Sequence, residues 1–426
     1  MNRLVVLCGA LLVLACSPKA HLKKELARIE TSLQEHAGFA LYDPAKKKYL
    51  LQHRADRYYT PASNTKIFTF YTSLRLLPDS LPALKYVEHA DTLFFWGLGD
   101  PSFLYRYTHQ SGVAYNFLKN HPGKLVFNGT NFYTDRFGPG WAWDDYKYSY
   151  SPERSSFPIY GNLMAVERDS LLKLRVHPSI FADSIKVMPA ANGNGGPERQ
   201  PFSNRVTLKQ GKMKPVRWEL PIRCSDSLLV RLLADTLQRP VYLGRLPNQP
   251  GKVLKSVPAD SVYKVMMQES DNFMAEQLLL QCAAVVSDSL HPDAAIRYAG
   301  QHLLAGLPDK PQWVDGSGLS RYNLFTPRSV VALWEKIANE FPKERIYPLL
   351  ATGGRAGTIR NLFKAPTPYV FGKTGTLSNN HCLSGYLITK RGRTLIFSFM
   401  HNNFVRPTRE VRQEMEKFLN YIRDNY

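Results

Sequence analysis

Apolar positions along this chain repeat with two periods, and each change of period marks an element. Ile67, Phe70, Tyr71 and Leu74 fall at helical spacing after Pro61-Ala62, and Pro78 closes the pattern, so a helix should open at Ser63. Val262, Val265 and Met266 predict a helix from Ser261 to about Gln268. Phe273, Ala275, Leu278, Leu279 and Cys282 predict another from about Phe273 to Val285. A helix is expected at about Asp226 to Leu237, and a last one over Val411, Met415, Phe418, Leu419 and Ile422, covering one face of a sheet. Shorter runs read as strands: Gly38 to Asp43 and Tyr49 to His53 around a lysine-rich turn, then Tyr369 to Gly372, Leu383 to Thr389 and Thr394 to His401.

The first two strands should share a central antiparallel sheet with the last three. This implies an α/β (α+β) fold with helices flanking that sheet and its sequence interrupted. One domain is expected from 22–85 joined to 250–426. Residues 86–250, rich in short strands and turns, form a β-rich insertion with a loop at 190–197. No internal repeat is present.

The 426 residues suffice for two or three domains, and 44% hydrophobic content is ordinary for a globular chain. Lysine and arginine number 55 against 35 acidic residues, a formal net charge of +20. That charge is spread along the chain, with no arginine-rich run or RNA-binding signature, so no nucleic-acid partner is expected. A charged cell-envelope polymer or an anionic membrane surface fits it better, and a basic surface with no such partner fits equally well. Arg3 followed by the apolar stretch Leu4 to Leu14, too short to span a bilayer, reads as a signal peptide over 1–15. Val13-Leu14-Ala15-Cys16 resembles a bacterial lipobox. It predicts cleavage before Cys16, lipidation of that thiol and a membrane-anchored protein facing the periplasm, with Lys19, Lys23 and Lys24 assisting membrane contact. The mature chain then keeps Cys224, Cys282 and Cys382; three cannot all pair, so no disulfide framework is implied.

Three short strings carry the chemistry: Ser63-Asn64-Thr65-Lys66, Ser270-Asp271-Asn272 and Lys373-Thr374-Gly375. In the first, Lys66 sits one turn beyond Ser63 on the same helix face. A serine hydroxyl is a poor nucleophile until a neighbouring base takes its proton, and this spacing supplies an amine. In the second, a polar break between two helices projects short side chains: Ser270 can pass a proton and Asn272 can hold a substrate amide. In the third, Lys373 brings positive charge, Thr374 and Thr376 bring donors suited to a carboxylate, and Gly375 lets a ligand backbone lie against the strand. Each string also has a plain structural reading: a helix cap with a solvated lysine, a capping Ser-Asp-Asn, and an edge strand protected by charge. The set in this order is far harder to obtain by accident than any one member.

Together these strings resemble the low-molecular-mass class C penicillin-binding proteins, the D-Ala-D-Ala carboxypeptidase and endopeptidase family. The interval from Ser63 to Ser270 is about twice that from Ser270 to Lys373, as in a family that inserts domain material there. Gly97-Leu98-Gly99-Asp100-Pro101, Pro139-Gly140-Trp141-Ala142-Trp143-Asp144-Asp145, Asp315-Gly316-Ser317-Gly318-Leu319-Ser320 and Gly357-Thr358 are similar too. The resemblance runs from about residue 38 to the C-terminus and is weakest at about 165 to 250, where a small third domain is reduced or missing. It implies a β-lactamase/transpeptidase-like fold, no cofactor and no metal. Its substrates are peptidoglycan stem peptides, with β-lactam antibiotics as inhibitors. Ser63 would be the acylated nucleophile and Lys66 its base. Ser270 would relay a proton to the leaving amine, and Asn272 would orient the acyl chain. Lys373 would set the field, and Thr374, Gly375, Thr376 and Asp144 would contact substrate. The backbone N–H groups of Ser63 and Thr376 would form the oxyanion hole. A β-lactamase and an inert peptidoglycan-binding protein are the alternatives.

Two further features invite chemistry and are assigned none. His381 and Cys382 are adjacent on extended chain, so their side chains point apart. Glu335 and Asn339, spaced like a β-lactamase E-x-x-x-N, lie among Val330, Val331, Leu333, Trp334 and Ile337 and read as the solvated face of an ordinary helix.

Overall fold

A computed structural model describes residues 18–109, 111–171, 173–190, 195–211, 216–245 and 250–426. The signal peptide and Cys16 lie outside the described residues, as do 191–194 of the expected 190–197 loop. The described residues form two compact units: those of 18–71, 266–270 and 300–426, and those of 72–265 and 271–299.

The first unit is built on a six-stranded antiparallel sheet. Its order is Ala351–Thr352, Val370–Leu377, Asn380–Ile388, Thr394–Asn402, His36–Asp43 and Lys48–His53. The strands Thr394–Asn402 and His36–Asp43, far apart in sequence, are neighbours in it, with Phe39 opposite Phe399. Both faces are covered, which is why Leu395, Ile396, Phe397, Phe399 and Met400 run almost without polar interruption.

One face packs against the helices Pro18–Leu33 and Thr408–Asn425. Leu22, Leu26, Ile29 and Leu33 from the first meet Val411, Met415, Phe418 and Leu419 from the second over Phe39, Phe397 and Phe399. Each such buried side chain contributes roughly 1.5–3 kcal/mol. The first of these helices was not foreseen, although Leu22, Leu26 and Ile29 carry the helical spacing. Its Lys19, Lys23 and Lys24 are the exposed positions of that amphipathic pattern. The other face takes the helix Pro327–Glu340, whose Trp334 donates its indole N–H to Ser384 Oγ at 2.9 Å and accepts the Tyr386 hydroxyl on its carbonyl. Glu335 on this helix is half-buried and accepts the Tyr42 hydroxyl at 2.7 Å, so it is a tie to the sheet and not a solvated residue.

The second unit carries three smaller sheets, of five, three and three strands. The strands Ser80–His89 and Lys252–Pro258 pair antiparallel, Leu84 opposite Leu254, so the two ends of the interrupting segment join in one sheet. The unit therefore reaches beyond the 86–250 drawn from sequence and takes in 72–85, 250–265 and 271–299 as well. The helix Asp226–Leu237, capped by Ser225 on Leu228 N, buries Leu229, Leu232 and Leu233 in a core with Phe95, Phe127 and Phe157. The helix Asn272–Ser287 is buried from Phe273 to Ala283, and its polar members are paired: Glu276 with Arg154, Gln277 with the carbonyls of Gly99 and Ser155, Gln281 with that of Pro82. The Gly97-Leu98-Gly99 turn is fixed by contact: a Cβ on Gly97 would lie 2.1 Å from the Ser156 carbonyl oxygen. No helix of the described residues is long and apolar enough to cross a membrane.

Candidate active site

Ser63 lies in a single 3-10 turn, Ala62–Thr65, that runs straight into the helix Lys66–Leu76. The turn starts from Ala62 at φ +48°, a left-handed conformation that a non-glycine residue rarely adopts. It is tied to the sheet by Asn64, which donates to the Lys373 carbonyl at 2.9 Å and accepts from Ser384 Oγ at 2.6 Å. Ser63 remains half-exposed, while Lys66, one turn on, is fully buried. Lys66 Nζ lies 2.9 Å from Ser63 Oγ and donates to the Ser317 carbonyl at 2.6 Å. That carbonyl is held by the Asp315 turn, whose carboxylate accepts from Gly318 N, Ser320 N and Asn323 Nδ2 at 2.7–2.8 Å. Gly318, at φ +83°, passes so close that a Cβ there would lie 1.9 Å from the Ala62 carbonyl oxygen.

Ser270 sits between the helices Ala259–Gln268 and Asn272–Ser287, also left-handed, at φ +64°. Lys373 Nζ donates to Ser270 Oγ at 2.8 Å and to the Thr374 carbonyl at 2.7 Å. Complete burial, reinforced by the charge of Lys66, pushes the Lys373 ammonium well below the usual lysine range. The structure thus brings four of the predicted residues, Ser63, Lys66, Ser270 and Lys373, into two serine–lysine contacts within one unit.

Asp271 is the N-cap of the next helix, accepting from Met274 N at 3.0 Å and from the Tyr105 hydroxyl at 2.7 Å. Asn272, in the second unit, donates its amide to the Tyr150 carbonyl at 2.9 Å. Asp144 is exposed in the turn Trp143–Lys147, whose Asp145 accepts from the Tyr150 hydroxyl.

Lys373, Thr374, Gly375 and Thr376 lie inside the strand Val370–Leu377. Gly375 serves a different purpose from the one expected. A Cβ on it would lie 2.4 Å from the Pro61 carbonyl oxygen and 2.8 Å from Ser63 N, so the missing side chain makes room for the nucleophile's own backbone and not for a ligand. The short strand Ala351–Thr352 pairs with Gly372 and Phe371 only, and no other described strand covers that edge from Lys373 to Leu377. Thr374 Oγ1 donates to Thr358 Oγ1 at 2.7 Å. Thr376 is exposed, and its hydroxyl lies 2.8 Å from His381 Nδ1 on the adjoining strand. Cys382 points the other way, toward the Thr60 carbonyl, and burial pushes its thiol up to about 12. Ser317, Asn64 and His381 contact the site residues and carry no assignment from sequence. Ser317 and Asn64 stand in the quoted Asp315–Ser320 and Ser63–Lys66 strings, which were the available signal; His381 drew notice only beside Cys382.

Haemophilus influenzae DacB, a D-alanyl-D-alanine carboxypeptidase, is 22% identical over 442 residues, spanning 92% of this chain and 90% of its own length. The crystal structure of penicillin binding protein 4 (dacB) from that organism superposes with a TM-score of 0.72 at 20% identity, covering 92% of this chain and 98% of that one. Its complex with a β-lactam gives 0.67 at 19% identity and the same coverage. These likenesses establish the penicillin-binding-protein fold. The D-Ala-D-Ala carboxypeptidase 3 (S13) family model matches residues 19–422, nearly the whole described chain, and the protein belongs to that peptidase family.

Proposed function

We propose that this protein, as a D-Ala-D-Ala carboxypeptidase-family enzyme, releases terminal D-Ala from peptidoglycan stem peptides, or cuts their D-Ala cross-links, through an acyl-enzyme on Ser63. The observation that carries the reading is the pair of contacts Ser63 Oγ–Lys66 Nζ at 2.9 Å and Ser270 Oγ–Lys373 Nζ at 2.8 Å. A neutral Lys66 takes the Ser63 proton as Oγ attacks the carbonyl carbon of the penultimate D-Ala. The N–H groups of Ser63 and Thr376 hold the resulting oxyanion, usually the largest catalytic contribution. Ser270, its hydroxyl beside Lys373, passes a proton to the departing amine, and water then releases the acyl group. Asn272 orients the acyl chain, Thr374 and Thr376 receive the terminal carboxylate, and Asp144 contacts the stem peptide.

A β-lactam acylates the same serine. The β-lactamase reading is disfavoured because Glu335, the carboxylate that could have activated water, is engaged by Tyr42. The working place of such an enzyme is the cell envelope, and a lipid on Cys16 holds it there on the periplasmic side.

Incubation with penicillin followed by peptide mass spectrometry tests the site, and release of D-Ala from a D-Ala-D-Ala peptide tests the activity. An adduct on the Ser63 peptide together with D-Ala release is expected. An adduct elsewhere refutes the assignment, and rapid penicillin turnover without peptide cleavage favours the β-lactamase.

A further inference from the structure

Thr376, His381 and His401 stand in one row across the sheet. Thr376 is the register partner of His381, and His381 of His401. Cross-strand partners point to the same face, and here that is the face covered by the C-terminal helix. His381 is 1% exposed and His401 0%. At the far end of the row, His401 Nδ1 lies 2.5 Å from Glu35 Oε1. At the near end, the His381 Nδ1 contact reaches the exposed hydroxyl of Thr376, the residue after Gly375.

A buried imidazole in this position is neutral. Desolvation disfavours its cation, and the Arg412 guanidinium acts in the same direction. A neutral imidazole carries one N–H and one bare nitrogen. With Nδ1 bare, the Thr376 hydroxyl must give its only proton inward and shows lone pairs to an arriving carboxylate. With Nδ1–H, the ring donates to the Thr376 oxygen, and the hydroxyl proton is left to face outward.

We propose that His381 is a positioning residue: its Nδ1–H turns the Thr376 hydroxyl outward, and so sets the enzyme's preference for peptides ending in a free carboxylate. This rests on the carboxylate-binding reading of Thr376 given above. A buried residue on the adjoining strand, touching neither substrate nor reacting atoms, thereby governs which chain ends are accepted.

The test compares kcat and KM on two peptides, one ending in free D-Ala and one in its amide. It uses the wild type, His381→Leu, His381→Asn, Thr376→Val and the Thr376→Val/His381→Leu double variant. His381→Leu should raise KM for the free peptide about 3- to 10-fold, the scale of one neutral hydrogen bond, with kcat and the amidated peptide unaffected. His381→Asn, which can place an amide N–H near the Nδ1 position, should keep most of the preference. His381→Leu should add nothing in the Thr376→Val background.

A wild type that cleaves neither peptide overturns the peptidase reading, and one that cleaves both equally overturns the carboxylate role of Thr376. A His381→Leu enzyme that keeps the preference, or loses activity equally on both peptides, overturns this inference alone. A second measurement does not depend on that variant folding. Histidine nitrogen NMR of Ser63→Ala protein should show His381 protonated on Nδ1 once a D-Ala-terminated peptide is bound. A ring that stays bare at Nδ1 refutes the proposal.

Discussion

A side chain on Gly375 would reach within 2.8 Å of the backbone nitrogen of Ser63. The two residues belong to segments over three hundred positions apart, yet each limits where the other can stand. Gly375→Ala must push the strand and the nucleophile turn apart, moving the N–H groups of Thr376 and Ser63 out of register. Loss of one oxyanion donor lowers turnover about 10²–10³-fold, while a single methyl of overpacking costs about 1–3 kcal/mol. The expected outcome is a folded protein whose acylation by a fluorescent penicillin slows at least 100-fold. Acylation at the wild-type rate would show that the strand can yield.

Lys66→Arg separates charge from basicity. Arginine keeps a cation at this buried position but stays protonated at any working pH. Penicillin acylation of this variant should be lost, and near-normal acylation would remove Lys66 from the role of base.

Much of the architecture could be read from periodicity, because it depends on local spacing. The helix Asp226–Leu237 and the five buried apolar positions of the C-terminal helix stand where the pattern put them. The strings around Ser63, Ser270 and Lys373 announced a site because their residue types are chemically coupled. What escaped was non-local. That His381 and Cys382 point apart was legible from the extended chain, but nothing near His381 in sequence shows that Thr376 is its cross-strand partner. Nor does the sequence around Gly375 reveal that its open side faces the Pro61–Ser63 backbone. The extent of the second unit was misjudged for the same reason: pairing of Leu84 with Leu254 is a contact between segments that carry no mark of each other.

Thr376→Val tests recognition of the terminal carboxylate. A charge-assisted hydrogen bond contributes about 1.5–3 kcal/mol, or roughly 10- to 150-fold in kcat/KM. The variant should lose about that factor on a peptide ending in free D-Ala. Amidation of the peptide should cost the wild type a similar factor, and the two losses should not add. Additive losses would mean that the hydroxyl and the carboxylate do not meet.

Stability should also depend on His381 as pH falls. Its imidazole is held below the usual histidine value in the folded protein. Above pH ~6.5 both folded and unfolded states are neutral there, and nothing is lost. Below it the unfolded chain takes a proton that the folded one refuses, and stability drops by up to about 1.4 kcal/mol per pH unit. Thermal melts should fall between pH 6.5 and 5, and His381→Asn should flatten that slope. His177, shifted in the same direction by burial, keeps part of it. An unchanged slope would place the acid sensitivity elsewhere.

Cys16→Ala tests the anchor. The variant should leave the membrane fraction or remain unprocessed. Normal trimming with membrane retention would refute lipidation at that thiol.

The strand Ala351–Thr352 stops pairing at Gly372 and leaves the sheet one strand short beside Ser63. A peptide that lies down in that gap is read first by its main chain, which is the same in every stem peptide. Handedness enters through the backbone as well, since the allowed φ/ψ regions of a D-residue mirror those of an L-residue and suit the ladder of an L-strand less well. An inhibitor that copies only the hydrogen-bond ladder would therefore be blind to side-chain identity.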